Sequence, residues 1–148
     1  MQAQMLAPAA VLIAWSLVML AWTALSRFPA LKRASIGLKT AKPGGRGQDL
    51  EGVLDDRVNW KAHNYAHLME QPTLFYAASL VVALLGATEG DVLAAWIYVA
   101  LRIVHSLWQA TVNTLNVRFP LFLLGTLALA FLAARALSLT LFPGLVAA

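Results

Sequence analysis

The sequence predicts an all-α integral membrane protein, a single domain built as a bundle of four membrane-spanning helices. Three observations predict it. The chain has 148 residues, of which 60% are hydrophobic and 12% charged, with a mean hydropathy of +0.70. A soluble domain carries about 25% charged residues, so this chain lacks the polar groups to cover a water-facing surface. The apolar residues come in long runs, and one helical crossing takes about 20 residues, which leaves room for four crossings and one sizeable loop. The charges are also segregated: eight of the 11 basic residues, Arg27, Lys32, Arg33, Lys39, Lys42, Arg46, Arg57 and Lys61, fall between residues 26 and 61. With no cysteine, disulfides, thiolate metal sites and a cysteine nucleophile are excluded. The net charge of +4 speaks to topology and lipid headgroups more than to nucleic acid.

The first apolar run, Pro8 to Leu25, has no charge, and its leader Met1 to Ala7 has no Lys or Arg. The positive segment of a signal peptide is missing, so residues 8–26 read as a retained span. The basic stretch 27–59 follows as a loop, with Lys42 to Gly47 (KPGGRG) as a flexible turn. Its charge places it on the cytoplasmic side by the positive-inside rule. Asp49, Glu51, Asp55 and Asp56 read as a solvated acidic face, and Asp55 and Asp56 suit the start of the next helix.

The second apolar run, Leu74 to Ala87, is too short to cross alone. The span therefore begins near residue 60 and ends near 87, bringing Asn64, His67 and Glu70 into or near the bilayer. Pro72 frees the carbonyl of Leu68 and predicts a kink. The link Thr88-Glu89-Gly90-Asp91 has no basic residue, as an outside loop should. The third span covers about 92–115 and the fourth about 119–142, closed by Pro143-Gly144. The short basic connection Asn116-Val117-Arg118 returns to the cytoplasmic side, which leaves both termini outside. Short connections predict antiparallel sequential neighbours.

Ionisable groups inside spans face the bundle interior or a wet cavity. On the second helix, His63, His67 and Glu70 stand at offsets 0, 4 and 7, one helical face. On the third, Tyr98, Arg102, His105, Gln109, Asn113 and Asn116 stand at offsets 0, 4, 7, 11, 15 and 18, a continuous polar stripe. From the rise per residue, Glu70 lies roughly 25 Å and Arg102 roughly 16 Å below the outer link, so Glu70 is expected to reach Arg102 or His105. The stripe opens onto a basic mouth of Arg27, Lys61 and Arg118, where cations and amide donors suit a small polyanionic ligand. Arg135, near the far end of the fourth helix, is expected to snorkel to the interface.

These residues resemble the MAPEG family, the membrane-associated proteins in eicosanoid and glutathione metabolism. The match is carried by Arg57 to Tyr76 (RVNWKAHNYAHLMEQPTLFY) and Ala100 to Gly125 (ALRIVHSLWQATVNTLNVRFPLFLLG) within a four-span frame. The resemblance implies a homotrimer that binds reduced glutathione between neighbouring subunits, toward the cytoplasmic side. It implies that Arg118 holds the glutathione thiolate, that Arg27 meets a glutathione carboxylate, and that Glu70, Arg102 and His105 take the family's binding positions. The chain departs from the family pattern at three places: His67 stands where Asn is usual, Gln109 where Tyr is frequent, and an Arg-rich start to the second helix is thinned to Lys61 and His63.

The implied function is a glutathione-dependent transferase or peroxidase acting on apolar electrophiles or lipid hydroperoxides, with membrane lipids around it. The rival is a non-enzymatic module of the same fold that binds lipid or structures a complex. His63, His67 and His105 could also ligate haem or a metal, although histidine hydrogen-bonded in a polar pocket is the commoner state. A channel or transporter ranks last, since no internal repeat is present.

Overall fold

The computed structural model describes residues 1–37, 40 and 43–142. Lys39, Lys42 and the Pro143-Gly144 terminator lie outside the described residues. The described residues form five α-helices: α1 (Gln2–Arg33), α2 (Asp56–Leu68), α3 (Gln71–Leu85), α4 (Glu89–Thr111) and α5 (Leu115–Leu141). α2 and α3 are two halves of one span, so four helical segments are long and apolar enough to cross a membrane. Among the described residues there is no strand.

α1 has 32 residues, about 48 Å at the helical rise, against a hydrocarbon core of about 30 Å. It runs past the apolar stretch to Arg33, so Arg27 sits within the helix and not at its end. A 3₁₀ turn, Gly47–Leu50, leads toward α2. Asp55 starts α2 as expected, its carboxylate accepting from the Arg57 N–H at 2.8 Å. α2 stops at Leu68, and α3 starts with Pro72 in its first turn. The freed chain is re-anchored by the Thr73 hydroxyl, which donates to the Glu70 carbonyl at 2.6 Å. The expected kink is thus a full interruption at Met69 and Glu70.

Thr88 and Asp91 form a reciprocal capping box at the start of α4. The α4–α5 turn lies earlier than the charge pattern suggests: it is Val112-Asn113-Thr114, while Asn116-Val117-Arg118 belongs to the first turns of α5. The cause is Asn113, at φ 59°, in the left-handed region that Asn tolerates better than most residues. The Trp108 indole N–H closes the turn onto the Thr114 hydroxyl at 3.1 Å.

α4 packs most extensively on α5, and α1 contacts α2, α3 and α4. α3 departs from the neighbour-by-neighbour order: it lies against α1 and α5 and meets α4 chiefly through the Phe75–Tyr98 ring stack, centroids 4.4 Å apart. Leu12, Met19, Phe75, Val82, Ala95, Tyr98 and Leu132 are fully buried. Large apolar side chains such as Leu25, Phe28, Leu84 and Leu127 point outward on every helical layer, the surface of a protein solvated by lipid.

Arg135 does not snorkel. Its guanidinium turns inward, Nε and Nη2 donating to the two carboxylate oxygens of Asp91 at 3.0 and 3.3 Å. The Asp91 side chain is 0% exposed and also accepts from the Thr88 N–H and hydroxyl at 2.9 and 2.8 Å. Removing one partner of such a pair strands a buried charge and costs about 3–5 kcal/mol, whereas replacing both by apolar groups is often neutral. Arg135→Ala is therefore expected to lower the thermal unfolding midpoint in detergent sharply, and Asp91→Leu combined with Arg135→Leu to restore part of it, the shortfall being the lost Asp91 cap on Thr88. Circular dichroism melts of the three proteins check this.

Candidate functional site

The polar stripe of α4 is buried as a unit: Tyr98, Arg102, His105 and Gln109 are each at most 4% exposed. Asn113 and Asn116 leave it, because the helix ends at Thr111. At its centre the Arg102 guanidinium is held by neutral partners. Nε donates to the Tyr98 hydroxyl at 3.1 Å, Nη1 to His67 Nε2 at 3.3 Å, and Nη2 to the side-chain carbonyl of Gln71. The guanidinium carbon also stands 5.5 Å from the ring centroids of Tyr98 and Phe122, within cation–π range. Gln71 in turn donates to the Thr126 hydroxyl on α5 at 2.9 Å. His67 from one half of the interrupted span and Gln71 from the other thus converge on one cation.

The expected contact from Glu70 to Arg102 or His105 does not form. Glu70 Oε2 instead lies 2.8 Å from His67 Nδ1. Arg is a donor only, so His67 Nε2 is the accepting nitrogen and Nδ1 carries the proton given to Glu70. The His67 ring stacks on Phe122 with centroids 5.7 Å apart and meets His105 at 5.2 Å.

These groups border a cavity of about 210 Å³ lined by His67, His105, Leu115, Arg118, Phe119 and Phe122. The α5 residues are spaced i, i+3, i+4 and i+7, one helical face. Arg118 Nη1 donates to the Asn113 side-chain carbonyl at 2.5 Å, while Arg118 Nε is buried with no partner among the described residues. The site thus joins a partly unsatisfied guanidinium, two imidazoles and an apolar wall, which suits an anionic group attached to or approached by an apolar one.

The remaining sequence-selected residues are placed elsewhere within the single chain. Arg27 Nη2 donates to the Gly47 carbonyl at 2.7 Å and ties α1 to the loop. Lys61 caps the Arg57 carbonyl at 2.7 Å and stands 5.4 Å from the Trp22 ring. His63 lies 3.0 Å from Glu51, apart from His67 and His105, so the three histidines do not converge. Gln109 is buried with its side-chain carbonyl unpartnered among the described residues.

Sequence reasoning missed Gln71 and Phe122. Gln71 stands four residues after His67, on the face already marked by His63 and His67, and that spacing was the available signal. Phe122 carried none, being one aromatic in an apolar run. A further polar bridge also lies outside the predicted set: Trp15 Nε1 and Asn64 Nδ2 both donate to the Ser106 hydroxyl oxygen, at 3.0 and 2.8 Å. It pins α1 and α2 to α4.

Comparison with individual proteins of known function and with solved structures finds no match. Comparison with family models matches the MAPEG family over residues 5–138, nearly the whole chain. The four-span bundle with its buried polar stripe is therefore that of an integral membrane protein, and the chain belongs to the MAPEG family, the membrane-associated proteins in eicosanoid and glutathione metabolism.

Proposed function

We propose that this protein is a membrane-bound, glutathione-dependent transferase or peroxidase-like enzyme in which Arg118 holds the glutathione thiolate while an apolar electrophile is conjugated or reduced. The observation that carries the reading is the Arg118 guanidinium in the wall of an otherwise aromatic and imidazole-lined cavity, with a buried Nε still free to donate. A free thiol has a pKa of about 8.5 and is lowered by a nearby guanidinium. A thiolate held there needs little more than positioning to attack an electrophile arriving from the lipid past Leu115 and Phe119, which are 69% and 59% exposed.

Glutathione fits the donor set but not the volume of one chain. The cavity of about 210 Å³ falls below the roughly 300–1,000 Å³ of a small-molecule pocket. One subunit accommodates the thiol end, and a neighbour completes the site. On this reading the protein is a homotrimer, and Arg27, Lys61 and His63 serve the remainder of the ligand across the interface while Arg102, His105, Gln109 and Asn113 shape the thiol end. The basic end of the bundle faces the cytoplasm of a bacterial inner membrane, with both termini outside.

Titrating detergent-purified protein with glutathione, and following thiolate absorbance in the ultraviolet, tests the central claim. A saturable signal is expected, with Arg118→Ala losing it together with roughly 10²-fold in turnover, by comparison with removal of one charge-stabilising donor elsewhere. Arg33→Ala, an exposed cation of the same end, should retain both. Absence of signal in every protein would instead leave a non-enzymatic, lipid-binding member of the fold.

The intersubunit arrangement has its own check. Native mass measurement should give three copies of the 16.0 kDa chain. Co-expressing Arg27→Ala with Arg118→Ala subunits should recover activity that neither variant has alone, because mixed interfaces reunite an intact Arg27 with an intact Arg118. A mixture no more active than the separate variants would place both residues in one subunit's site.

A further inference from the structure

The same cavity contains a group fitted to receive a proton, a point that builds on the thiol-enzyme reading above. His67 lies in the last turn of α2, and Glu70 is the residue on which α3 begins. Their Nδ1···Oε2 distance is 2.8 Å, and the tautomer is fixed by Arg102 on the opposite nitrogen. The ring plane is held by Phe122 at 5.7 Å. An imidazole oriented by a carboxylate, on a side chain that lines the cavity, is the arrangement by which enzymes activate a nucleophile. The contact that occupies Nε2, Arg102 Nη1 at 3.3 Å, is the longest of the three that hold this guanidinium, and it is the one an S–H donor would replace.

We infer that His67, backed by Glu70, is the general base that takes the proton from the bound thiol, and that Arg118 keeps the thiolate that results. The S–H bond breaks, its electron pair stays on sulfur, and the proton passes to His67 Nε2. With an α,β-unsaturated carbonyl compound, the sulfur lone pair then forms a bond to the β-carbon. The alkene electrons shift onto the carbonyl oxygen, and the imidazolium returns its proton to the enolate. The net result is addition of the thiol across the double bond, with His67 regenerated. Transfer within the site leaves its total charge unchanged. Arg102, Arg118 and the adjacent His105 oppose an imidazolium in isolation, but the thiolate created in the same step offsets them, and Glu70 stabilises it from behind.

The test mixes glutathione rapidly with detergent-purified wild type, His67→Asn and Glu70→Gln in weak buffer containing a pH indicator, recording thiolate absorbance and released protons together. In wild type the thiolate should appear without matching proton release, since the proton stays on the imidazole. In His67→Asn it should form about 10²-fold more slowly, within the range ascribed to general-base catalysis, with one proton reaching solvent per thiolate and with the rate partly rescued by added imidazole. Glu70 has a 67% exposed side chain, so Glu70→Gln keeps the fold and should show an intermediate slowing, which decides the matter if His67→Asn does not fold. Equal rates and equal proton release in the three proteins would overturn the role of His67 while leaving the thiol enzyme intact. A wild type that forms no thiolate at all would overturn both.

Discussion

A guanidinium remains charged wherever it is placed, and removing it from water costs several kcal/mol unless its donors are met. Arg102 is 2% exposed in the middle of the bundle, and the architecture around it follows from that fact. Its planar fork requires acceptors in fixed directions, and they come from three helices: Tyr98 on α4 itself, His67 at the end of α2 and Gln71 at the start of α3. The faces of Tyr98 and Phe122 close the remaining sides. The interruption at Met69 and Glu70 falls between the His67 and Gln71 contacts, so the Pro72 break lies at the site and not merely along the helix.

Among the described residues no carboxylate forms an ion pair with Arg102. Glu70 is committed to His67, and Asp91 is committed to Arg135 near the other end of α4. The bundle is thereby electrostatically lopsided. One end is clamped by the buried, internally compensated Asp91–Arg135 pair, with the Glu89 carboxylate exposed beside it. The other combines Arg102 and Arg118, whose own contacts are to Tyr98, His67, Gln71 and Asn113, with Glu70 one contact removed behind His67. An anion entering there meets two guanidinium groups that no carboxylate contacts directly among the described residues. This asymmetry is a physical reason for an acidic or ionisable ligand at the α4–α5 end, independent of the family to which the chain belongs.

Much of this was legible in the sequence because lipid simplifies the problem. The four runs, the basic loop and the polar phase from Tyr98 to Gln109 are one-dimensional signals, set by hydropathy and by the helical repeat. Asp55 as a helix start and Pro72 as a breaker are equally local. The misreadings share a different origin, since each depended on a partner on another helix or on a backbone angle. Arg135 looks like any interfacial cation until Asp91 is seen across the bundle. Glu70 sits at a depth that suits Arg102, but the interruption beside it turns its carboxylate to His67. Asn113 fits the phase of the stripe as well as Gln109 does, and nothing in a residue name says that the chain there adopts φ 59°.

That last angle has the largest consequence for function. Had the chain turned at Asn116-Val117-Arg118, as its polarity suggests, Arg118 would lie in a connection and its guanidinium would be free to reach water or a headgroup. Ending α4 at Thr111 makes Arg118 the fourth residue of α5, in helical phase with Leu115, Phe119 and Phe122. The same turn supplies Asn113, whose side-chain carbonyl accepts from Arg118 Nη1 and limits where the fork can point. A cation that composition alone would assign to the membrane surface thus becomes one wall of an apolar cavity, beside His67 and His105. The guanidinium is thereby fixed between the imidazoles of His67 and His105 on one side and the apolar Leu115, Phe119 and Phe122 on the other, so that charge and apolar surface meet in one cavity.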